Sequence, residues 1–271
     1  MDIFRIKRLL KLFLFGLVIV FLVLHILTTF FFYFNLNKNI ENKDKENKEE
    51  EISKNKGIIS LVFDDGLESQ YSIAFQKMRH YEFNGTLFLL ANQTGFLEGR
   101  KLMNFEKAKE MQDHGWEIGN HGLKHEPIKE SNLFEQLIIS KKILESKGFF
   151  INTFACPTGC NESIKSLREI GNKNYLTVRS LDWGENNLSS YSRQKLNSKW
   201  VNKKNNGEEI CKWIIDASKR NNWLILIFHG IEEKKPRHLY DISEDDFNKI
   251  LDCINENKIK TKTISEVLKN E

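Results

Sequence analysis

Only three of the 271 residues are proline, and the sequence has no Pro-rich or Gly-rich tract and no internal repeat. A stiff polyproline spacer and a repeat architecture are therefore excluded. An excess of one charge is missing too. The 41 Lys and Arg are interleaved with 37 Asp and Glu, for a formal net charge of +4, and form no basic stripe. Nucleic-acid binding has no compositional support. Cysteine is sparse, with Cys156, Cys160, Cys211 and Cys253 the full set. The Cys-x3-Cys spacing is not that of a zinc knuckle. An even number in an exported domain permits two disulfides in three pairings, and a reducing habitat would leave four free thiols.

The first feature present is an apolar run. Residues 12–34 carry no charged side chain, and as a helix they would extend roughly 34 Å, enough for a bilayer core. The run is longer than the apolar part of a signal peptide and ends in Thr-Thr-Phe-Phe-Phe-Tyr-Phe, where a signal protease requires small residues. It reads as an uncleaved single-pass membrane anchor behind a short basic tail, residues 1–11, with His25 inside it. Arg5, Lys7, Arg8 and Lys11 suggest a cytoplasmic N-terminus, hence a main domain on the extracytoplasmic side, although Lys38, Lys43, Lys45, Lys48 and Lys54 follow the run. Residues 35–56 are dense in charge and amide and cannot pack a core, so they read as a flexible linker spanning on the order of 25 Å.

From residue 57 to residue 271 the pattern is that of one catalytic domain. Apolar runs (GIISLVF, GTLFLL, WEIGN, INTFA, YLTVRS and WLILIFH) alternate with amphipathic stretches over residues 69–80, 104–114, 131–147 and 207–221. Strands separated by helices imply parallel βα units, and about seven of them imply a barrel. Functional side chains then belong at the C-terminal ends of the strands.

Three such ends carry chemistry. LVFDDG delivers Asp64 and Asp65 together, and adjacent carboxylates repel unless a cation or a proton is held between them. A polar turn capping the next helix is the plainer reading, and a phosphatase built on Asp-x-Asp fails on spacing. NHGLKH places His121 and His125 where both imidazoles can face one ion. One carboxylate and two imidazoles leave coordination positions open, as in a catalytic rather than a structural zinc site. WLILIFHG ends a buried strand in His229, which can be a general acid or simply a core imidazole bonded to a carbonyl.

FDDG, His-x3-His, FACPTG, LDW and the strand ending in His229, in this order, make residues 57–265 resemble the NodB-type polysaccharide deacetylases, carbohydrate esterase family 4. The resemblance implies an α/β fold, a distorted (β/α)7 barrel, and removal of acetyl groups from peptidoglycan, chitin-like polymers or poly-N-acetylglucosamine; an O-acetyl esterase and a non-catalytic glycan-binding protein are the alternatives. It implies Asp64 as general base, Asp65, His121 and His125 as ligands of a divalent metal, usually Zn2+, and His229 as general acid. A metal-bound water would attack the acetyl carbonyl, with the backbone N–H of Thr158 among the oxyanion donors. Trp183 and Ile227 match positions that wall the acetyl pocket. The implied partners are an N-acetylated polysaccharide and the membrane; no separate carbohydrate-binding module is evident.

Three departures stand out. Ala155 occupies a position where the family often has Arg, and Thr158 one where it often has Tyr. Arg179 replaces an expected acid in Arg-Ser-Leu-Asp182-Trp183, and we expect its guanidinium to reach Asp64 from the opposite wall and hold it ionised. Gly122 stands where Ser or Thr commonly supports a ligand imidazole, so that support must come from elsewhere.

Overall fold

A computed structural model describes residues 25, 27–38, 43, 57–160 and 164–269. The chain divides into two units, Met1–Lys54 and Asn55–Glu271. In the first, residues 27–38 are helical and exposed, so helix runs past Phe34 into the stretch expected to be linker. The hydroxyls of Thr28 and Thr29 donate to the carbonyl of His25, at 2.9 and 3.0 Å. Among the described residues no helix is long and apolar enough to cross a membrane. Residues 1–24, which hold most of the expected anchor, lie outside the described residues, as does most of the linker.

The second unit is an α/β half-barrel of parallel strands. Its strands are β1 (Ile58–Phe63), β2 (Thr86–Leu89), β3 (Glu117–Asn120), β4 (Thr153–Ala155), β5 (Thr177–Arg179), β6 (Lys199–Trp200) and β7 (Asn222–Phe228). They pair in parallel in the order β5-β4-β3-β2-β1-β7-β6, and between β5 and β6 only an isolated bridge, Trp183 to Ser198, follows the ring round. The barrel is thus open at that seam. The two-residue β6 has no apolar run of its own and is absent from the strands read in the sequence.

Strands buried on both faces explain the continuous apolar runs. On β1, Ile59, Leu61 and Phe63 face the surrounding helices while Val62 faces inward, and on β7 Leu224, Leu226 and Phe228 alternate with inward Trp223, Ile225 and Ile227. Each such fully buried large apolar side chain contributes about 1.5–3 kcal/mol. The helices are α1 (a π-helical turn Gln70–Phe75 continuing as Gln76–His80), α2 (Phe105–Asp113), α3 (Glu135–Ile139 continuing as Ser140–Ser146), α4 (Lys165–Asn174), α5 (Gly207–Lys219), α6 (Glu244–Glu256) and α7 (Ile264–Leu268). Asn104, Asn206, Ser243 and Thr263 cap α2, α5, α6 and α7 with side-chain oxygens that accept from backbone N–H groups.

Strand register brings the chemistry together. Val62 and Phe63 pair with Ile227 and Phe228, and Asp64 N donates to Phe228 O at 3.0 Å, so Asp64 and His229 leave adjacent strand ends. Leu89 pairs with Asn120, Asn120 with Phe154, and Ala155 with Arg179, which carries the same level round to β5.

Of the three pairings open in the sequence, the structure has Cys156–Cys160 and Cys211–Cys253. The second joins α5 to α6 across a sequence separation of 42. Closing a loop of this length removes unfolded-state entropy equivalent to about 4 kcal/mol. The double variant Cys211→Ala/Cys253→Ala should therefore lose about 2–4 kcal/mol of unfolding free energy, read from urea denaturation followed by circular dichroism; an unchanged midpoint would contradict a stabilising cross-link.

Candidate active site

After β1 the chain turns sharply. Asp65 has φ 80° and Gly66 φ 72°, so two consecutive residues are left-handed, and Asp65 departs from the alternation that keeps Asp64 facing inward. For an aspartate such a conformation is uncommon and points to an imposed geometry. Both carboxylates are almost wholly buried, with Asp64 2% and Asp65 1% exposed.

Asp65, His121 and His125 converge. Asp65 Oδ1 lies 3.5 Å from His121 Nε2 and 3.4 Å from His125 Nε2, and one ligand atom from each residue falls within 4.8 Å of the others. These separations are too long for good hydrogen bonds, and Asp65 Oδ1 has no hydrogen-bond partner among the described residues. A buried carboxylate oxygen without a donor among the described residues, faced by two imidazole nitrogens, is a donor set that fits a divalent cation. His121 is held from behind by the Ala155 carbonyl, 2.9 Å from its Nδ1, which directs Nε2 at the cluster. This carbonyl provides the support that Gly122 cannot. Gly122 itself is required by the turn: its φ is +86°, and a Cβ there would lie 2.4 Å from Gln136 Oε1, which accepts from Leu123 N.

Asp64 is neutralised differently. Arg179 Nη2 donates to Asp64 Oδ1 at 2.7 Å and Oδ2 at 2.6 Å, with both side chains buried and the guanidinium 5.2 Å above the Phe88 ring. The charge arrives from the opposite wall, as expected: Arg179 is on β5, separated from β1 in the sheet by β2, β3 and β4. Arg179 on β5 is the register partner of Ala155 on β4, so a small residue at 155 leaves room for an arginine one strand over. Burial opposes ionisation of Asp64, but Arg179, then His121 and His229, hold its carboxyl below the ordinary range. Asp65 is likewise lowered despite its burial, through His121 and the charges of His229, His121 and His125. Burial works against protonation of His121, yet Asp65 and Asp64 raise its pKa, whereas burial lowers that of His125.

These groups line one cavity of about 350 Å3 with Glu98, Arg100, Cys156, Thr158, Leu181, Trp200, His229 and Tyr240. The His229 ring packs 5.5 Å from that of Tyr240, and its buried Nδ1 has no hydrogen-bond partner among the described residues. Thr158, φ 58°, sits in the loop bridged by Cys156–Cys160.

Trp183 and Ile227 are not on this wall. Ile227 is fully buried among the inward side chains of the barrel. Trp183 is half exposed at the open seam, edge-on to Trp200 and Trp213 at 4.7 and 5.6 Å, and it is Trp200 and Leu181 that reach the cavity. Arg100, between Asp65 Oδ2 (3.5 Å) and Asp241 Oδ1 (3.0 Å), was not foreseen, and neither was Tyr240. Both come from connections whose sequence carries no pattern beyond the turn glycines Gly95 and Gly99.

With this geometry in place, the chain can be compared with known proteins. Residues 51–174 match the family model described as polysaccharide deacetylase, a span that includes Asp64, Asp65, His121, His125 and Thr158 and stops before Arg179 and His229. No curated protein matches in sequence. Among solved structures, the peptidoglycan deacetylase PdaC from Bacillus subtilis aligns with a TM-score of 0.55 at 18% identity, over 80% of this chain and 93% of that one. The chitin deacetylase from the fungal pathogen Colletotrichum lindemuthianum gives 0.54 at 14%, over 78% and 86%. A family 4 carbohydrate esterase from Streptomyces lividans, in complex with acetate, gives 0.52 at 15%, over 77% and 93%. Likeness at such identities is likeness of fold. In sequence over residues 51–174, and in fold, this chain is similar to the polysaccharide deacetylases.

Removing the guanidinium tests the Asp64–Arg179 contact. In Arg179→Ala the Asp64 carboxyl rises from its depressed value, its ionised form is lost at higher pH, and the acidic limb of the pH-rate profile should move to higher pH. A buried charge without a partner also costs on the order of 3–5 kcal/mol, so the urea midpoint should fall. An unmoved acidic limb would contradict the contact's role.

Proposed function

We propose that this chain hydrolyses acetyl groups from N-acetylated polysaccharide, with peptidoglycan, chitin-like polymer and poly-N-acetylglucosamine as the candidate substrates. The observation that carries the reading is the convergence of Asp65, His121 and His125 on one orphaned carboxylate oxygen, beside an Asp64 kept ionised by Arg179. Asp65, His121 and His125 would hold a divalent metal, Zn2+ being the best match to one carboxylate and two imidazoles. Held there, a divalent ion would supply Lewis-acid activation for the hydrolysis.

The rest belongs to this chain's own side chains. Asp64, ionised and facing the cavity, takes the proton of the attacking water. The backbone N–H of Thr158, on the rim of the same cavity, is the candidate donor to the developing oxyanion. His229, which leaves the strand end beside Asp64, donates a proton to the departing sugar nitrogen as acetate leaves. The cavity of about 350 Å3 admits an acetamido sugar but not a whole polymer strand, so the chain of sugars would lie across its mouth. The apolar run of residues 12–34 supports a further reading, in which the domain is tethered to the cell membrane on its extracytoplasmic side; carbonate-resistant sedimentation with membranes would be expected, and release into the soluble fraction would oppose it.

Acetate release from peptidoglycan, chitin oligomers, poly-N-acetylglucosamine and acetylated xylan should be seen with at least one N-acetylated polymer, be abolished by a chelator and return with zinc. Asp64→Asn and His229→Ala should each lower kcat by about 10^2–10^4-fold. Release from xylan alone would make the chain an O-acetyl esterase, and release from none would favour a glycan-binding role.

A further inference from the structure

At the head of α1 Gln70 is fully buried and is not among the residues lining the cavity. Its Nε2 donates to the backbone carbonyl of Asp64 at 2.5 Å and to that of His229 at 3.0 Å, while its Oε1 accepts from Leu67 N at 2.9 Å. The orientation of the amide is fixed by these partners, because the reverse would set its oxygen against two carbonyls and its NH2 against an N–H. The neighbouring Ser69 accepts through Oγ from Ile231 N at 3.1 Å. Two consecutive residues thus grip both strand ends that carry the acid and the base. They open a π-helical turn, a backbone form that recurs at functional sites.

β1 and β7 are already paired through Phe63 and Phe228, but that pairing ends with the bond from Asp64 N to Phe228 O. Beyond it the two chains diverge, Asp65 into its left-handed turn and His229 towards Gly230, whose N–H is taken by Asp241 Oδ1 at 2.9 Å. At that point of divergence one amide group ties the carbonyls of Asp64 and His229 together. We propose that Gln70, assisted by Ser69, is a positioning residue that fixes the spacing between the general base and the general acid. It acts through backbone rather than through the metal cluster. The inference rests on the assignment of Asp64 and His229 under the proposed function, and it names a residue which that assignment does not use. Misplacement of a reacting group by about 1 Å can cost 10^2-fold in rate, so a clamp at the main chain can govern kcat without touching substrate.

The test uses the full chain and the near-isosteric variant Gln70→Met, which keeps bulk and removes both donors. We expect kcat for acetate release to fall by about 10–10^2-fold with KM and zinc affinity, read by competition with a chromophoric chelator, changed by less than about 3-fold. Because the clamp acts through His229, adding Gln70→Met to His229→Ala should slow that variant little further. Amide exchange at Gly230 and Ile231 should quicken. A merely structural glutamine would lower the melting temperature and leave kcat of the folded protein and the two-variant combination behaving independently; either result overturns the proposal. Should Gln70→Met fail to fold, Ser69→Ala removes only the bond to Ile231 and should show a smaller fall in kcat in the same direction, with no fall counting against the clamp. If the unaltered chain releases acetate from no glycan, it is the functional reading that fails, and the clamp is then decided by exchange alone: unchanged Gly230 and Ile231 amides in Gln70→Met would refute it.

Discussion

Two adjacent carboxylates buried at one strand end are the constraint around which this domain is arranged. Side by side and cut off from water, Asp64 and Asp65 cannot both stay ionised without positive charge close at hand. The structure separates their fates by backbone conformation. Asp64 keeps the inward direction of β1 and meets Arg179, whereas the left-handed turn at Asp65 sends its carboxylate towards two imidazoles. One carboxylate is thereby held by the Arg179 guanidinium at hydrogen-bond distance, and the other faces two imidazoles, with Arg100 Nη2 3.5 Å from its Oδ2.

On the proposed function, that asymmetry gives the pair two roles. A carboxylate balanced by a guanidinium remains anionic, while one whose Oδ1 has no hydrogen-bond partner among the described residues and faces two imidazoles has the surroundings of a metal ligand. The parallel ladder from β7 through β1 to β5 sets Asp64, His121, Arg179 and His229 at one level, and the loops add His125 and Thr158. Departure from the family pattern at 155 is compensated within the sheet itself, since the arginine moves to the register partner of the position that lost it. The charge is kept although the residue is not.

Much of this was legible in the sequence. Strands with uninterrupted β-branched and aromatic runs announced a buried parallel sheet, Asp64, Asp65, His121 and His229 could be placed at strand ends because they follow such runs at once, and His125 came with His121 through their spacing. The link from Arg179 to Asp64 could be anticipated in kind and direction, whereas the pairing of Arg179 with Ala155 is a matter of register, a tertiary quantity that no local pattern encodes. β6 is too short to show periodicity, so the open seam beside it was invisible, and with it the outward displacement of Trp183 and the arrival of Trp200 at the cavity. Ile227 was assigned by position, but its strand places it below the cavity rather than in it. Arg100, Tyr240 and Gln70 come from connections and a helix start, where side-chain direction depends on the turn and not on the residue's neighbours in sequence.

The central claim is that Asp65, His121 and His125 form one cation site on which the chemistry depends. Calorimetric titration of the metal-stripped chain with zinc measures it most directly: one site per chain is predicted, lost in Asp65→Ala and in His121→Ala but kept in His229→Ala. Zinc binding that survives Asp65→Ala, or its absence in the unaltered chain, would contradict the account.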